Sequence, residues 1–119
     1  MLHHISVATT SGEKTNLLQE IARGDGPVVV SFINAHGANL AWSDPAFRDA
    51  MLASDVLLRD GVGMSMLMRM LHQDPGLNLN GTDLIPEILR TNAHRRIALA
   101  GTTSTYVETA ARRLRSLYG

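Results

Sequence analysis

Apolar residues follow two different rhythms along this chain. Val28-Val29-Val30-Ser31-Phe32-Ile33-Asn34 is a continuous apolar and β-branched run, the pattern of a central parallel strand covered on both faces. Residues 14–23 instead carry Leu17, Leu18 and Ile21 at helical spacing, stopped by Gly24-Asp25-Gly26-Pro27. They predict a short helix and a turn ahead of the strand. After Asn34, residues 35–42 read as helical, and Ser43-Asp44-Pro45 offers an N-cap and a first-turn proline for another helix through Ala53. Residues 55–59, with Val56, Leu57 and Leu58 apolar, make a second strand that ends at Asp60-Gly61-Val62-Gly63.

The helical rhythm then returns. Residues 62–71 combine good helix formers with Met64, Met66, Met68 and Met70, a density that reads as adaptable core packing. Residues 72–80, with Pro75-Gly76, form a loop, and Thr82 or Asp83 caps a helix containing Leu84, Ile85, Ile88 and Leu89, with Pro86 in its first turn. Residues 96–100 predict a third strand, Gly101-Thr102-Thr103-Ser104 a turn, and residues 106–118 a final helix with its arginines mostly on one side. Strands alternating with helices define an α/β fold: a Rossmann-like parallel sheet with helices on both faces and right-handed crossovers.

Composition narrows this picture without changing it. The 119 residues are 45% hydrophobic and 18% charged, which suits one compact domain over residues 1–119 and excludes a disordered chain. The absence of cysteine excludes disulfides, thiolate metal sites and a cysteine nucleophile. The formal net charge is zero, yet residues 95–119 hold Arg95, Arg96, Arg112, Arg113 and Arg115 against Glu108 alone. That end reads either as a solvated helix face or as a surface for phosphates, anionic lipid or an acidic partner. The first residues carry no secretory signal pattern, and no segment is apolar for long enough to cross a membrane, so a cytoplasmic location is expected.

Ligands of an open parallel sheet bind at the carboxyl ends of its strands. Three polar clusters are expected there: Asn34 with His36, then Asp60-Gly61-Val62-Gly63, then Gly101-Thr102-Thr103-Ser104. An aspartate at a strand tip, followed by glycines and a helix start, can act as a base beside amides that accept a phosphate or a sugar hydroxyl. Asp-Gly is also one of the commonest turn pairs. The third cluster lacks the Walker lysine and the glycines of a dinucleotide fingerprint, which argues against a dehydrogenase or methyltransferase domain. His3, His4, His36, His72 and His94 form no i, i+4 pair, so no metal site is expected. Ser31, Ser65 and Ser104 lack the context of a hydrolase nucleophile.

Read together, these segments are more specific than any one cluster. Phe32-Ile33-Asn34-Ala35, Ala53-Ser54-Asp55, Asp60-Gly61-Val62-Gly63, Asn80-Gly81-Thr82-Asp83-Leu84 and Leu99-Ala100-Gly101-Thr102 resemble, in order and spacing, the bacterial WecG/TagA/CpsF glycosyltransferases over about residues 26–118. Two positions depart from the family pattern: Phe32 replaces the threonine of a Thr-x-Asn motif, and Asn78 replaces an arginine three residues before Gly-Thr-Asp. Family members run to roughly twice this length, so the chain corresponds to their amino-terminal half.

The resemblance implies transfer of an N-acetylhexosamine-type sugar from a UDP donor to a lipid-linked saccharide at the inner membrane face, in cell-surface polysaccharide synthesis. It implies Asp60 as the base, with Asn34 and the amides of Gly61 and Gly63 holding the sugar. Gly81, Thr82 and Asp83 would shape the opposite wall, and Gly101 and Thr102 the phosphate side. No cofactor, metal or nucleic-acid partner is expected. The rival reading is a non-catalytic interaction module on the same fold. Half of a larger fold exposes an apolar edge, so a homo-oligomer is expected as well.

Overall fold

The computed structural model describes residues 1–23 and 26–119; the predicted turn at Gly24 and Asp25 lies outside them. Helix α1 (Ser11–Arg23) begins earlier than its apolar spacing suggests, because Thr10 caps it. The Glu13 amide donates to Thr10 Oγ1 (3.2 Å), and the Glu13 carboxylate accepts from the Thr9 amide and hydroxyl. Those bonds hold the Glu13 carboxyl below its ordinary pKa.

Strand β1 (Val30–Ile33) leads into α2 (Ala35–Ser43), α3 (Pro45–Leu52) and strand β2 (Val56–Arg59). The α3 cap is the predicted one: Asp44 Oδ1 accepts from the amides of Ala46 and Phe47, and Pro45 opens the helix. The two strands pair in parallel, Val30 with Val56 through Ile33 with Arg59. Then come α4 (Val62–Met70), α5 (Gly81–Thr91) and α6 (Ser104–Tyr118). The α5 cap is Asn80, whose Oδ1 accepts from the Asp83 amide at 2.8 Å, rather than Thr82 or Asp83. Pro86 therefore lies beyond the first turn.

Alternation along the strands sorts the core into two layers. Ile33 and Leu57 face Met64 and Met68 of α4, with Ala38 of α2 and Met51 of α3 packed alongside. Leu58 faces Leu79 and Leu84, with Val30, Phe32, Leu17, Leu18 and Ile88 around them, so α1 and α5 cover the opposite face. A Lys14–Glu87 ion pair links these two helices at the surface. Helices cover both faces of a parallel sheet, as the sequence pattern requires.

The third position of the sheet departs from expectation. Residues 96–100 are not a strand. Ile97 and Leu99 carry the right alternation, but a strand exists only where its amides reach a ladder. Among the described residues none of 96–100 forms a backbone hydrogen bond to β1. Instead the N-terminal segment adds to the other side of β2: Ile5 bridges Leu57 in parallel, and the Ser6 amide donates to the Leu57 carbonyl at 2.7 Å.

Helix α4 ends in a Schellman motif, with the Gln73 amide on the Met68 carbonyl and the His72 amide on the Arg69 carbonyl. The residue at the turning point is His72, at φ 57°, where a Cβ is strained and glycine is not. His72→Gly is expected to stabilise the fold by about 1 kcal/mol. Thermal unfolding followed by circular dichroism should show a midpoint raised by roughly 4 °C.

Candidate functional site

The parallel register sets β1 and β2 side by side at their carboxyl ends. The Asp60 amide donates to the Ile33 carbonyl at 2.8 Å, carrying the pairing one residue past β2. Asn34 and Asp60 thus leave the sheet together. Asn34 Oδ1 is already engaged, accepting from the Gly37 amide at 2.8 Å as the cap of α2. Its side-chain NH2 group is the part left for a ligand. Asp60 is half-buried and precedes Gly61, whose φ of 82° requires glycine and turns the chain into α4. Gly63 has a different reason to be small: a Cβ there would lie 3.1 Å from the Ala35 Cβ, where α4 meets α2.

Asp60 opens onto a cleft of about 770 Å³. Phe32 and Asp60 line it from the sheet, and Gly81, Thr82, Ile85 and Pro86 from α5. Ile97 and Leu99 contribute from the extended segment, and Arg113, Leu114 and Leu117 from α6. The walls are largely apolar, and Asp60 and Arg113 are the charged side chains among those lining residues. Pro86 has no amide hydrogen, so the Thr82 carbonyl loses its i+4 helical partner at the cleft wall. The start of α5 therefore presents an acceptor as well as amide donors.

The structure brings Asp60, Gly81 and Thr82 into one cleft. Asn34, Gly61 and Gly63 stand at the strand ends but do not line it, and Asp83 is exposed one residue beyond Thr82. Gly101 and Thr102 are exposed and outside the cleft, as the missing third strand dictates; Leu99 is where that segment reaches it. Among the described residues no three histidine or acidic side chains converge as a metal site.

Sequence reasoning missed the residue that fixes the loop leading into α5. Arg59 ends β2 with its side chain buried, and its guanidinium gathers the 75–78 loop. Nε donates to the Pro75 carbonyl (2.7 Å), and Nη2 donates to the carbonyls of Gly76 (3.1 Å) and Leu77 (3.0 Å). Asn78 Oδ1 lies 3.5 Å from Nη1, at the long limit of a hydrogen bond. Burial pushes the Arg59 pKa down from its ordinary value, and the charge of Arg69 adds to the effect. The signal available in the sequence was a lone cation closing an otherwise apolar strand.

The loop is fixed from its other side as well. Gly76 has φ 61°, its amide donates to Asp74 Oδ1, and a Cβ on it would lie 2.6 Å from the Ala8 carbonyl oxygen. The Leu77 amide donates to the same carbonyl at 2.7 Å. Asn80 and Gly81 follow within a few residues, so Arg59 sets where α5 starts relative to the adjacent Asp60.

A parallel α/β sheet with helices on both faces, and a carboxylate at the strand ends facing a cleft beside a helix start, defines an α/β protein of the Rossmann-like class. Residues 2–119 match the profile of the glycosyl transferase WecG/TagA/CpsF family, and the chain belongs to that family. The match takes in the N-terminal segment that pairs with β2. No curated protein and no solved structure matches the chain.

Replacing Arg59 by methionine strands three loop carbonyls and should cost about 3 kcal/mol. Arg59→Lys should recover only part of that, since an ammonium cannot reproduce the planar fork. Chemical denaturation of the three proteins checks the order Arg, Lys, Met.

Proposed function

We infer that this chain transfers an N-acetylhexosamine-type sugar from a UDP donor to a lipid-linked saccharide in cell-surface polysaccharide synthesis. The observation that carries the reading is Asp60, half-buried at the strand ends and opening onto the cleft, in a chain of this family. The Asp60 carboxylate takes the proton of the acceptor hydroxyl as that oxygen attacks the anomeric carbon. The new glycosidic C–O bond forms while the bond from the anomeric carbon to the diphosphate oxygen breaks, and UDP leaves. Amides at Gly61 and Gly63, where α4 begins, and the free NH2 of Asn34 hold sugar or phosphate oxygens.

Gly81, Thr82 and Asp83 form the facing side at the start of α5, and Phe32 offers the sugar ring an apolar surface. Arg113 lines the cleft and supplies positive charge for the diphosphate. Gly101 and Thr102 serve that side only if residues 96–102 move toward the sheet when donor binds. Among the described residues no helix is long and apolar enough to cross a membrane. The lipid-linked acceptor is met at the cytoplasmic membrane surface.

A second reading, an α/β interaction module, is favoured by apolar side chains that stand exposed on α4, namely Val62, Met66 and Met70. Transfer from UDP-N-acetylmannosamine to a lipid-linked acceptor analogue separates the two. Asp60→Asn should lower the rate about 100-fold or more with stability changed by less than about 0.5 kcal/mol. An active parent whose variant keeps its full rate removes Asp60 from the chemistry, and a parent without transfer supports the module.

A further inference from the structure

The four methionines of α4 divide between two faces. Met64 and Met68 are buried against Ile33 and Leu57, whereas Val62, Met66 and Met70 are 75%, 58% and 75% exposed. Their i, i+4, i+8 spacing makes one continuous apolar stripe along the outer side of the helix. Helix α2 packs beside it at Gly63 and Ala35. Near the end of α2, Trp42 is 90% exposed and lines a groove of about 440 Å³ together with Leu71 and Arg48.

Composition and charge select what covers this face. Tryptophan, methionine and arginine are enriched where proteins meet, and lysine and acidic residues are depleted there. Helices α2 and α4 contain no lysine and no acidic residue. Around the face, Arg48, Arg69 and the amino group of Met1, a groove residue, stand against Asp44 and Asp49, with Arg48 Nε 3.7 Å from Asp49 Oδ1. An anionic lipid surface recruits a cluster of cations, which a surplus of one charge does not supply.

A two-fold contact instead needs a patch complementary to itself, and a rim carrying two arginines and two aspartates meets that need. With those rim residues, the exposed tryptophan, methionines, valine and leucine offer on the order of the 800 Å² per partner that a stable interface buries.

We propose that α2 and α4 form a homodimer interface in which Trp42, Met66 and Met70 of one copy pack against the same face of a second copy. Trp42, Met66 and Met70 line no part of the cleft, so the contact they make holds whether or not Asp60 performs transfer. Trp42 is the single tryptophan of the chain and reports directly on its own burial. Light scattering coupled to size exclusion should give twice the chain mass at high micromolar concentration. Dilution should return the monomer and shift the Trp42 emission toward that of exposed indole.

The double variant M66E/M70E changes only exposed positions and should remain monomeric, with red-shifted emission at every concentration. Met70→Glu alone serves the same purpose if the double variant loses cooperative unfolding. A parent that stays monomeric, a dimer that survives these substitutions, or a dimer whose Trp42 emission does not move would overturn the proposal. Binding of the parent to vesicles containing phosphatidylglycerol, lost in M66E/M70E without any self-association, would overturn it too and give the face to a membrane.

Discussion

One buried guanidinium holds together the parts of this molecule that matter for a ligand. Arg59 ends the central strand, and its donors satisfy carbonyls of a loop that has no secondary structure of its own. A buried cation without a carboxylate partner is costly unless its charge is spread over fixed dipoles. Here the dipoles are peptide carbonyls, and the downward push on the Arg59 pKa records the desolvation that remains. The arrangement works in both directions: the loop keeps the arginine charged, and the arginine gives the loop a single shape. Because Asp60 is the next residue and Asn80 ends the loop, strand end and helix start are located by the same side chain.

The sheet is small for what it positions. Each strand has four residues, so the ladder alone contributes little. Side chains from helices on both faces make up the difference, with Leu58 and Met64 wholly enclosed. Most close approaches at the strand ends depend on small residues: Gly63 lets α4 meet α2, and Gly76 lets the loop meet the N-terminal segment. The first residues, with Ile5 bridging Leu57, take the place beside β2 that a further strand would fill.

How much of this was legible in the sequence depended on whether the signal was local. The Asp44 cap followed by Pro45 and the Asp-Gly turn into α4 are each decided by neighbouring residues and stand where the pattern puts them. The run from Val28 to Asn34, by contrast, forms a strand only over Val30–Ile33 and, among the described residues, pairs with β2 alone, so it is an edge rather than the expected central strand. Asn80 as a cap was open to local reading and was passed over for Thr82 and Asp83, which are also good caps. The state of residues 96–100 was not local. Ile97 and Leu99 fit a strand, but pairing depends on which edge is within reach, and these residues line the cleft instead. Arg59 was legible only as a lone cation closing an apolar strand; its partners are backbone carbonyls, and carbonyls leave no mark in a sequence. The site residues divided in the same way: Asp60, Gly81 and Thr82 meet because β2 and α5 are tied by Arg59, whereas Gly101 and Thr102 depended on a strand that does not form.

The position of β2 has a bearing on how the chain acquires its shape during synthesis. Both of its neighbours, β1 and the segment around Ile5, precede it in the sequence. Neither can form its ladder before β2 is available, and each pairing closes a long loop, which makes the sheet intrinsically slow to assemble. Until then Ile5 and Ile33 lack the strand that covers them. Vectorial emergence from a ribosome shortens that interval, because both partners are already outside and waiting when Leu57 and Leu58 appear. Released from denaturant, the same chain has every apolar segment exposed at once and meets a wider choice of wrong pairings.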